Sequence, residues 1–365
     1  KLKIDQTLEW QQMFREAWKL QKEFYWVENM SRMNWQKVLD EYYPLVERIA
    51  TRLEFSDLMW EMQGELGTSH AYEMGGDYNP KPDYTIGKLG ADYSFDKSSG
   101  YYKITKIYSS DSWDDMVVPP LTKPGAEIKT GDMIMEINGV KVSAENNPGK
   151  LLIGFAGKEV RIKVCDAKLK NVRYVNIKTI GNDAYLRYRD WVAKNKEYVH
   201  KKSKGKLGYI HIPNMMAFGF AEFHRHFLTE SDYDGLVVDV RNNGGGHVSQ
   251  LLLEKLARKR IGIGEARYFG VEPYPVDSVK GAMVMLTDEH AGSDGDIVSH
   301  CFKLMKLGKL VGKRTWGGVV GIWPRFALAD GTLTSQPEFA TWFTDVQYGV
   351  ENYGTDPDIY IERSE

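Results

Sequence analysis

Apolar residues recur every three or four positions through the first part of the chain, over residues 8–62. Phe14, Ala17 and Trp18 show this spacing, and it returns around residues 45–53. Such spacing places apolar side chains on one face of an amphipathic helix. The pattern stops after Gly67. The sequence therefore predicts helices over this region, followed by a short extended segment at residues 68–72.

The middle of the chain alternates short β-rich runs with turn signals. Asn138-Gly139 is one such signal, and Pro80 and Pro82 mark a linker before the module. The predicted strands lie at residues 101–107, 133–137, 160–164 and 172–177. This pattern predicts a small β-rich module.

Beyond residue 185, buried strands alternate with helices. Strands are predicted at residues 207–212, 235–240 and 282–287. One helix is predicted at residues 248–259, and another follows the last strand and ends at residue 306. Alternation of this kind favours an α/β layer. The predicted fold is therefore mixed α+β and α/β in three parts. These are a helical segment at 1–83, the β module at 84–180 and an α/β sandwich-type domain at 181–365.

Composition narrows the functional classes. The 48 Lys and Arg residues nearly balance the 50 Asp and Glu residues, so no chain-wide field attracts nucleic acid or an anionic membrane. Cys165 and Cys301 fit neither a disulfide framework nor a zinc site. No apolar run reaches the roughly 20 residues needed to cross a bilayer, and the first residues lack a signal-peptide core. We expect a cytoplasmic protein.

A glycine-rich loop follows the predicted strand at residues 235–240. Gly244, Gly245 and Gly246 carry no Cβ, so their main-chain amides can approach a ligand oxygen closely. A merely flexible strand-to-helix turn explains the same residues. Nucleotide binding is less favoured, because neither of the common phosphate-binding glycine patterns is matched.

A second sharp turn carries a serine. Gly292-Ser293-Asp294-Gly295 lies between a predicted strand and a predicted helix. A serine there projects from a tight bend, and helix-terminal amides can stabilise an oxyanion. The alternative is that Ser293 simply caps the helix, with Asp294 and Asp296 favoured near its positive end.

A nucleophilic serine needs a base, and eight histidines are available. His224 and His226 form an HxH pair on a predicted helix, a weak metal candidate. His247 and His290 lie close to the two turns in sequence. His70 differs in its surroundings, because Ser69 precedes it within a Gly-Thr-Ser-His-Ala-Tyr-Glu segment.

Several motifs in one order resemble the C-terminal half of the tricorn protease family. They are Ser69-His70-Ala71-Tyr72-Glu73, residues 243–246 (Asn-Gly-Gly-Gly), residues 291–296 (Ala-Gly-Ser-Asp-Gly-Asp), residues 314–321 (Arg-Thr-Trp-Gly-Gly-Val-Val-Gly) and residues 351–358 (Glu-Asn-Tyr-Gly-Thr-Asp-Pro-Asp). The likeness covers nearly the whole chain.

The resemblance implies a catalytic tetrad. Ser293 would be the nucleophile and His70 the general base, while Ser69 and Glu351 orient and polarise the imidazole through a hydroxyl relayed to a carboxylate. Neighbouring strand residues point to opposite faces, so Ser69 can reach the ring of His70 only where the backbone is irregular. Gly67 makes such an irregularity plausible.

The resemblance also implies an oxyanion hole made of two main-chain amides. One would come from Gly246 or Gly245 and the other from Asp294. The related carboxy-terminal processing proteases use a Ser-Lys dyad instead. In this chain Gly318 follows Thr315-Trp316-Gly317 where their lysine would stand, so the Ser-His pair is preferred.

Two further regions bear on peptide recognition. Gly87-Lys88-Leu89-Gly90 resembles the carboxylate-binding loop of a PDZ domain, which captures peptide ends in backbone amides. Gly264 stands where the family carries an aspartate that favours basic P1 side chains, and Glu265 follows it. We expect a preference for neutral or apolar P1 residues, with Glu265 as a partial substitute for the lost charge.

The resemblance therefore predicts a serine peptidase that cleaves short unfolded peptides without a metal or organic cofactor. It implies a ring-shaped homo-oligomer, with no nucleic-acid or membrane partner. The alternative is a peptide-binding scaffold, in which the PDZ-like module works and the peptidase-like domain is inert.

Overall fold

A computed structural model of the protein describes residues 5–79, 82, 84–108, 118–268 and 270–362. The chain forms two compact units. One comprises Lys1–Asn79 with Val199–Glu365, and the other comprises Pro80–Tyr198.

The first unit begins with three helices, α1 (Gln6–Phe24), α2 (Trp35–Tyr42) and α3 (Arg52–Gly64). Their apolar stripes enclose one core that includes Phe14, Phe55 and Met59, each fully buried. The extended segment expected at residues 68–72 begins later than predicted. Residues 68–70 form a bend and a turn, and strand β1 comprises only Glu73–Met74.

The second unit is built on an antiparallel sheet with strand order β2-β3-β4-β6-β7. Alternate strand residues face its core, among them Ile104, Ile134 and Ile162. A short strand, β5, pairs with β4, and the one-turn helix α4 lies between β5 and β6. The bounds are β2 (Ala91–Asp96), β3 (Tyr101–Ile107), β4 (Met133–Ile137), β5 (Val140–Lys141), α4 (Pro148–Leu151), β6 (Glu159–Cys165) and β7 (Arg173–Lys178).

Helix α5 (Ala184–Lys202) follows this module, where the sequence predicted no separate helix before the next strand. The chain then continues through β8 (Leu207–His211), α6 (Ala217–Glu230), β9 (Gly235–Asp239), α7 (Ser249–Leu256), β10 (Gly262–Ala266), β11 (Gly270–Tyr274), β12 (Ala282–Thr287), α8 (Asp294–Leu304), β13 (Gly308–Gly312), β14 (Gly321–Ile322), β15 (Leu333–Thr334), β16 (Pro337–Phe339) and β17 (Ile359–Tyr360).

A parallel five-stranded sheet with order β17-β13-β12-β9-β8 organises the first unit. Val238, in β9, pairs with Ile210 of β8 on one side and Met285 of the central strand β12 on the other. Phe223, Leu252 and other apolar residues of α6, α7 and α8 join these strands in one core. The predicted combination of N-terminal helices, β module and α/β layer is confirmed. Both the glycine-rich loop and the Ser293 turn follow the carboxyl ends of strands, where parallel sheets usually form their sites.

Three short antiparallel pairs complete the first unit. β1 pairs with β15, β14 pairs with β16, and β10 pairs with β11. The β1–β15 pair matters most for the site, because it starts three residues after His70 and joins Glu73 to Thr334.

Candidate active site

Ser293 occupies a strained bend at the start of α8. Its backbone has φ 57° and ψ −122°, a conformation unusual for a residue with a side chain. Although Ser293 is the N-cap residue, its side chain makes no capping hydrogen bond. The capping explanation therefore does not account for this serine. Backbone strain of this kind collects at functional sites.

The glycine-rich loop lies directly against this bend. Asn243 is fully buried, and its carbonyl accepts a hydrogen bond from the amide of Gly292 at 2.9 Å. A Cβ placed on Gly245 would lie 2.5 Å from Cβ of Ser293, so a larger residue would displace the serine. Gly245 is therefore required for the close approach of the two loops.

Two main-chain amides next to Ser293 are without partners. Among the residues that the structure describes, the amides of Gly246 and Asp294 donate no hydrogen bond. The amide of Gly245, in contrast, donates to Oδ1 of Asn243 at 3.0 Å. Of the two glycines expected as oxyanion donors, Gly246 is thus the available one, and the expectation for Gly245 is corrected to a role in spacing.

The carboxylate of Asp294 ties the two turns together. It accepts hydrogen bonds from the amide of Ser249, at 3.0 Å, and from the Ser249 hydroxyl. Burial raises the pKa of Asp294, although these donors and the nearby His247 oppose the rise. The side chain of Asp294 therefore fixes the start of α7, and its main-chain amide stays free.

His70 is placed by an irregular backbone. Its φ of 65° is left-handed, as is the φ of 59° at Gly67. This turn brings Oγ of Ser69 to 2.8 Å from Nδ1 of the neighbouring His70 ring. The irregularity that the sequence required is thus present, and it lies at His70 itself as well as at Gly67. No described residue hydrogen-bonds Nε2, the other ring nitrogen.

Glu351 is connected to Ser69 and His70 by a hydrogen bond that its carboxylate accepts from the main chain of Ser69. Its Oε1 accepts from the amide of Ser69 at 2.6 Å and from Oγ1 of Thr68 at 3.0 Å. Its Oε2 accepts from the amides of Val319 and Val320, at 2.6 and 3.0 Å. The expected relay from the Ser69 hydroxyl to this carboxylate is therefore replaced by a bond to the Ser69 amide.

The site opens into a continuous cleft. A compartment of about 460 Å³ is lined by His70, Gly246 and Ser293, and a second one of about 570 Å³ shares these residues. Among the described residues, no hydrogen bond joins the His70 ring to Oγ of Ser293. Catalytic hydrogen bonds are often long before substrate binds, so the shared lining is the relevant observation.

Trp316 packs against both His70 and the turn that carries Ser293, a contact that sequence reasoning missed. Its ring stands edge-on to the His70 ring with centroids 5.4 Å apart. A Cβ on Gly292 would lie 2.9 Å from the same indole, so the glycine lets the tryptophan pack closely. Trp316 belongs to one of the motifs noted in the sequence, which was the available signal for it.

Burial is the main influence on the electrostatics of His70. It lowers the pKa of His70, while the negative charge of Glu351 acts in the opposite direction. Burial likewise raises the pKa of Asp296 to about 6, although this carboxylate accepts hydrogen bonds from the amides of Gly317 and Gly318. A neutral imidazole is the form that can accept a proton from serine.

The apolar residues that line the compartment of about 460 Å³ were not anticipated from the sequence. Among the described side chains of this lining there is no lysine or arginine, and the one acidic side chain is that of the tethered Asp294. The apolar and uncharged ones include Leu253, Ile297, Cys301, Val319, Phe339 and Thr341. Burial raises the pKa of the Cys301 thiol to about 11, so it is neutral near pH 7.

The residues expected to set P1 preference lie elsewhere in this chain. Gly264 and Glu265 are exposed on the β10–β11 hairpin, where they pair with Glu272 and Val271. Neither is among the described residues that line the cleft. The expectation that Glu265 partly substitutes for a pocket charge therefore has no support within a single chain.

The other candidates fall into two groups. His247 and His290 line the cleft, and the His247 ring stacks on Trp323 with centroids 5.0 Å apart.

In the loop Gly87-Lys88-Leu89-Gly90, the amide of Gly87 donates to the carbonyl of Leu152 at 2.8 Å. The amide of Lys88 donates to the carbonyl of Ile180 at 2.7 Å. These two amides are thus not available to a peptide carboxylate.

No cluster of three metal-ligating side chains occurs among the described residues. Within the same part of the chain, every helix is too short or too polar to cross a bilayer.

Comparison with known proteins agrees with this geometry. Residues 6–64 match the tricorn protease C1 domain, residues 87–182 the tricorn protease PDZ domain and residues 206–361 peptidase family S41. The chain is 50% identical over 363 residues to a tricorn protease homolog of Saccharolobus solfataricus, covering 99% of this chain and 33% of that protein. The chain belongs to the tricorn protease family.

Further relatives show how much of the family's length is present. The tricorn protease of Thermoplasma acidophilum is 46% identical, over 97% of this chain and 33% of its own length. A crystal structure of the tricorn protease superposes with a TM-score of 0.93 at 45% identity, covering 99% of this chain and 35% of that one. The chain thus corresponds to the C-terminal part of the family's fold and spans about a third of the length of these relatives.

Proposed function

We propose that this chain is a serine peptidase that cleaves short unfolded peptides through an acyl-enzyme on Ser293. The observation that carries the proposal is the convergence of Ser293, His70 and the unpartnered amides of Gly246 and Asp294 on one cleft. A serine next to a base and two free donors has the parts that acyl transfer requires.

The proposed acylation starts with His70. As Oγ of Ser293 bonds to the scissile carbonyl carbon, its proton passes to Nε2 of His70. The carbonyl oxygen becomes an oxyanion, which the amides of Gly246 and Asp294 stabilise. The carbon–nitrogen bond then breaks, and the imidazolium returns the proton to the leaving amine. Water repeats the sequence and releases the acid, with His70 again as base.

Ser69 and Glu351 are proposed to orient the base. Since Oγ of Ser69 lies 2.8 Å from Nδ1, it can accept a hydrogen bond from the Nδ1–H group and so keep the lone pair on Nε2. The carboxylate of Glu351 fixes the Ser69 main chain and favours the imidazolium that forms during acylation. No step of this scheme uses a metal or an organic cofactor.

The apolar part of the cleft supports an apolar P1 preference. Leu253, Ile297 and Phe339 offer contacts to an aliphatic or aromatic side chain, whereas a Lys or Arg side chain would find no acidic partner free there. A panel of peptides that differ only at P1 tests this. Faster cleavage after Leu or Phe is expected, and faster cleavage after Arg would contradict it.

Active-site labelling tests the peptidase proposal itself. A fluorophosphonate probe is expected to label Ser293 in the wild type and to fail on Ser293→Ala. Ser299→Ala is a suitable control, because this buried hydroxyl donates to the carbonyl of Gly295 within α8. Absence of labelling on folded wild-type protein would favour the peptide-binding scaffold instead.

Assembly into a homo-oligomer is proposed from the family resemblance. The β10–β11 hairpin supports it, since it exposes Ile263, Tyr268 and Val271 to solvent. Light scattering coupled to gel filtration should give a mass that is a multiple of the 41.8 kDa chain. The triple change of these residues to Ser is expected to lower that mass, and a wild-type monomer would contradict the proposal.

A further inference from the structure

A buried serine outside the tetrad holds the main chain on both sides of Ala71. Ser335 lies between β15 and β16 and is fully buried. Its Oγ donates to the carbonyl of His70 at 2.5 Å and accepts from the amide of Tyr72 at 2.8 Å. Its own amide donates to the carbonyl of Tyr72 at 3.0 Å.

These bonds act where the backbone most needs support. A left-handed residue with a side chain costs about 1–2 kcal/mol, and His70 is such a residue. The regular pairing of β1 with β15 begins only at Glu73, so residues 70–72 lie outside it. The hydrogen bonds of Ser335 to Tyr72 and to the carbonyl of His70 connect these residues to the segment after β15.

Ser335 is itself fixed from the opposite side. Its carbonyl accepts a hydrogen bond from Nε2 of Gln21, in α1, at 2.9 Å. The same nitrogen donates to Oε1 of Gln63, in α3, at 2.9 Å. Gln21 and Gln63 are both buried, so the chain of bonds from the N-terminal helices to His70 lies away from bulk solvent.

We propose that Ser335 is a positioning residue for His70. It does not contact the imidazole, and it acts by fixing the peptide groups from which the ring projects. The inference rests on the proposed role of His70 as the base. Loss of the hydroxyl would leave the carbonyl of His70 and the amide of Tyr72 buried without this partner, which favours a rearranged turn.

Ser335→Ala tests this against a matched control. Thr334→Val removes a hydroxyl that is equally buried. That hydroxyl accepts a hydrogen bond from Nε2 of Gln336, and in the variant Nε2 still has the carbonyl of Thr334 as its acceptor. Ser335→Ala is expected to lower kcat about 10- to 100-fold, since displacements near 1 Å have effects of that size. KM should stay within about twofold. Thr334→Val should leave kcat within about twofold.

Equal losses of kcat in the two variants, or an unchanged kcat in Ser335→Ala, would overturn the proposal. Stability does not discriminate, because both variants are expected to unfold at lower urea concentration. Should Ser335→Ala fail to fold, Gln21→Met interrupts the same chain one step further away. It is expected to lower kcat in the same direction by a smaller factor, and an unchanged kcat would count against the proposal.

A spectroscopic readout separates this inference from the peptidase proposal. In protein with ¹⁵N-labelled histidine, the Nδ1 and Nε2 signals of His70 report its tautomer and hydrogen bonding without turnover. Ser335→Ala should shift both signals, and Thr334→Val should not. Unshifted signals in Ser335→Ala would overturn the positioning role even in an active enzyme. A wild type that fluorophosphonate does not label would refute only the peptidase proposal.

Discussion

Glu351 and Ser69 are joined through a main-chain amide. Oε1 of the glutamate lies 2.6 Å from the amide nitrogen of the serine, 282 residues away in sequence. The serine hydroxyl is thereby left to the Nδ1 atom of His70. The Glu351 carboxylate therefore affects His70 in two ways. It holds the turn through the hydrogen bond to the Ser69 amide, and its negative charge opposes the lowering of the His70 pKa by burial.

This arrangement predicts the acid limb of the pH profile. A protonated His70 cannot accept the serine proton, so labelling should be lost as pH falls through its pKa. Because burial lowers that pKa, the midpoint should lie below the ordinary value of about 6.5. Glu351→Gln removes the opposing charge and should move the midpoint still lower. Fluorophosphonate labelling rates from pH 4.5 to pH 8 measure both midpoints.

Glu136→Gln, in the β-rich module, is the control for a lost negative charge and should leave the midpoint where it is. A midpoint that rises in Glu351→Gln would contradict the electrostatic role of the carboxylate.

The two ends of the glycine-rich loop should respond differently to an added methyl group. A Cβ on Gly246 would lie 1.9 Å from the carbonyl oxygen of Met215, and its φ of 147° disfavours a side chain. Gly246→Ala is therefore expected to displace the donor amide and to lower kcat about 10²- to 10³-fold. A Cβ on Gly244 meets no atom within 4 Å, so Gly244→Ala should change kcat little. Comparable losses in both would argue against a donor at Gly246.

Asp296 should make stability depend on pH in an unusual direction. Its pKa of about 6 in the folded state exceeds that of an unfolded chain, so the folded state binds the extra proton. Its contribution to the free energy of unfolding is therefore largest below about pH 4 and is lost as pH rises through 6. Urea denaturation gives the free energy of unfolding of the wild type and of Asp296→Asn from pH 4 to pH 7. The wild-type value minus the Asp296→Asn value should fall as pH rises.

Asp330 offers a control of opposite sign. Although burial acts to raise its pKa, hydrogen bonds from Thr332 and Arg52 hold that pKa below the ordinary value. The stabilisation by Asp330 should therefore be lost as pH falls, so the difference between wild type and Asp330→Asn should grow with pH. Parallel curves for the two variants would contradict both assignments.

Arg52 should be far more important for stability than an exposed arginine with similar bonds. It is buried in the first turn of α3, between the carboxylates of Glu73 and Asp330, both 2.7 Å away. Arg52→Ala leaves two buried carboxylates without their cation, which typically costs about 3–5 kcal/mol. The pair of Arg325 and Glu338, in which the arginine is exposed, should contribute less than about 1 kcal/mol. Urea denaturation of Arg52→Ala and Arg325→Ala measures the contrast, and equal losses would contradict it.

The parts of the site that were predictable from sequence are those built locally. The Ser293 turn lies between a strand and a helix that are both strongly patterned, so its place followed from its neighbours. The parallel sheet was predictable for the same reason. His70 was recognisable only through the family motif, because its fixing contacts come from Glu351 and Ser335, far along the chain.

Other features depended on single hydrogen bonds that no sequence pattern reveals. The choice between Gly245 and Gly246 rests on whether the side chain of Asn243 occupies an amide. Counting residues placed Gly264 at the P1 pocket, whereas the strand that carries it is half of an exposed hairpin. Position along the chain could not show that Gly264 and Glu265 stay outside the lining of their own chain's cleft.

The separation of 282 residues between Ser69 and Glu351 also has a temporal side. At about 5 to 20 residues per second, a ribosome needs about 14 to 56 s to travel from one to the other. During that interval the emerging polypeptide contains His70, but Glu351, which binds the neighbouring Ser69 amide, has not yet been synthesised. A nascent chain that has not yet reached residue 351 lacks this contact, so the turn that carries His70 can be completed only after Glu351 has been synthesised.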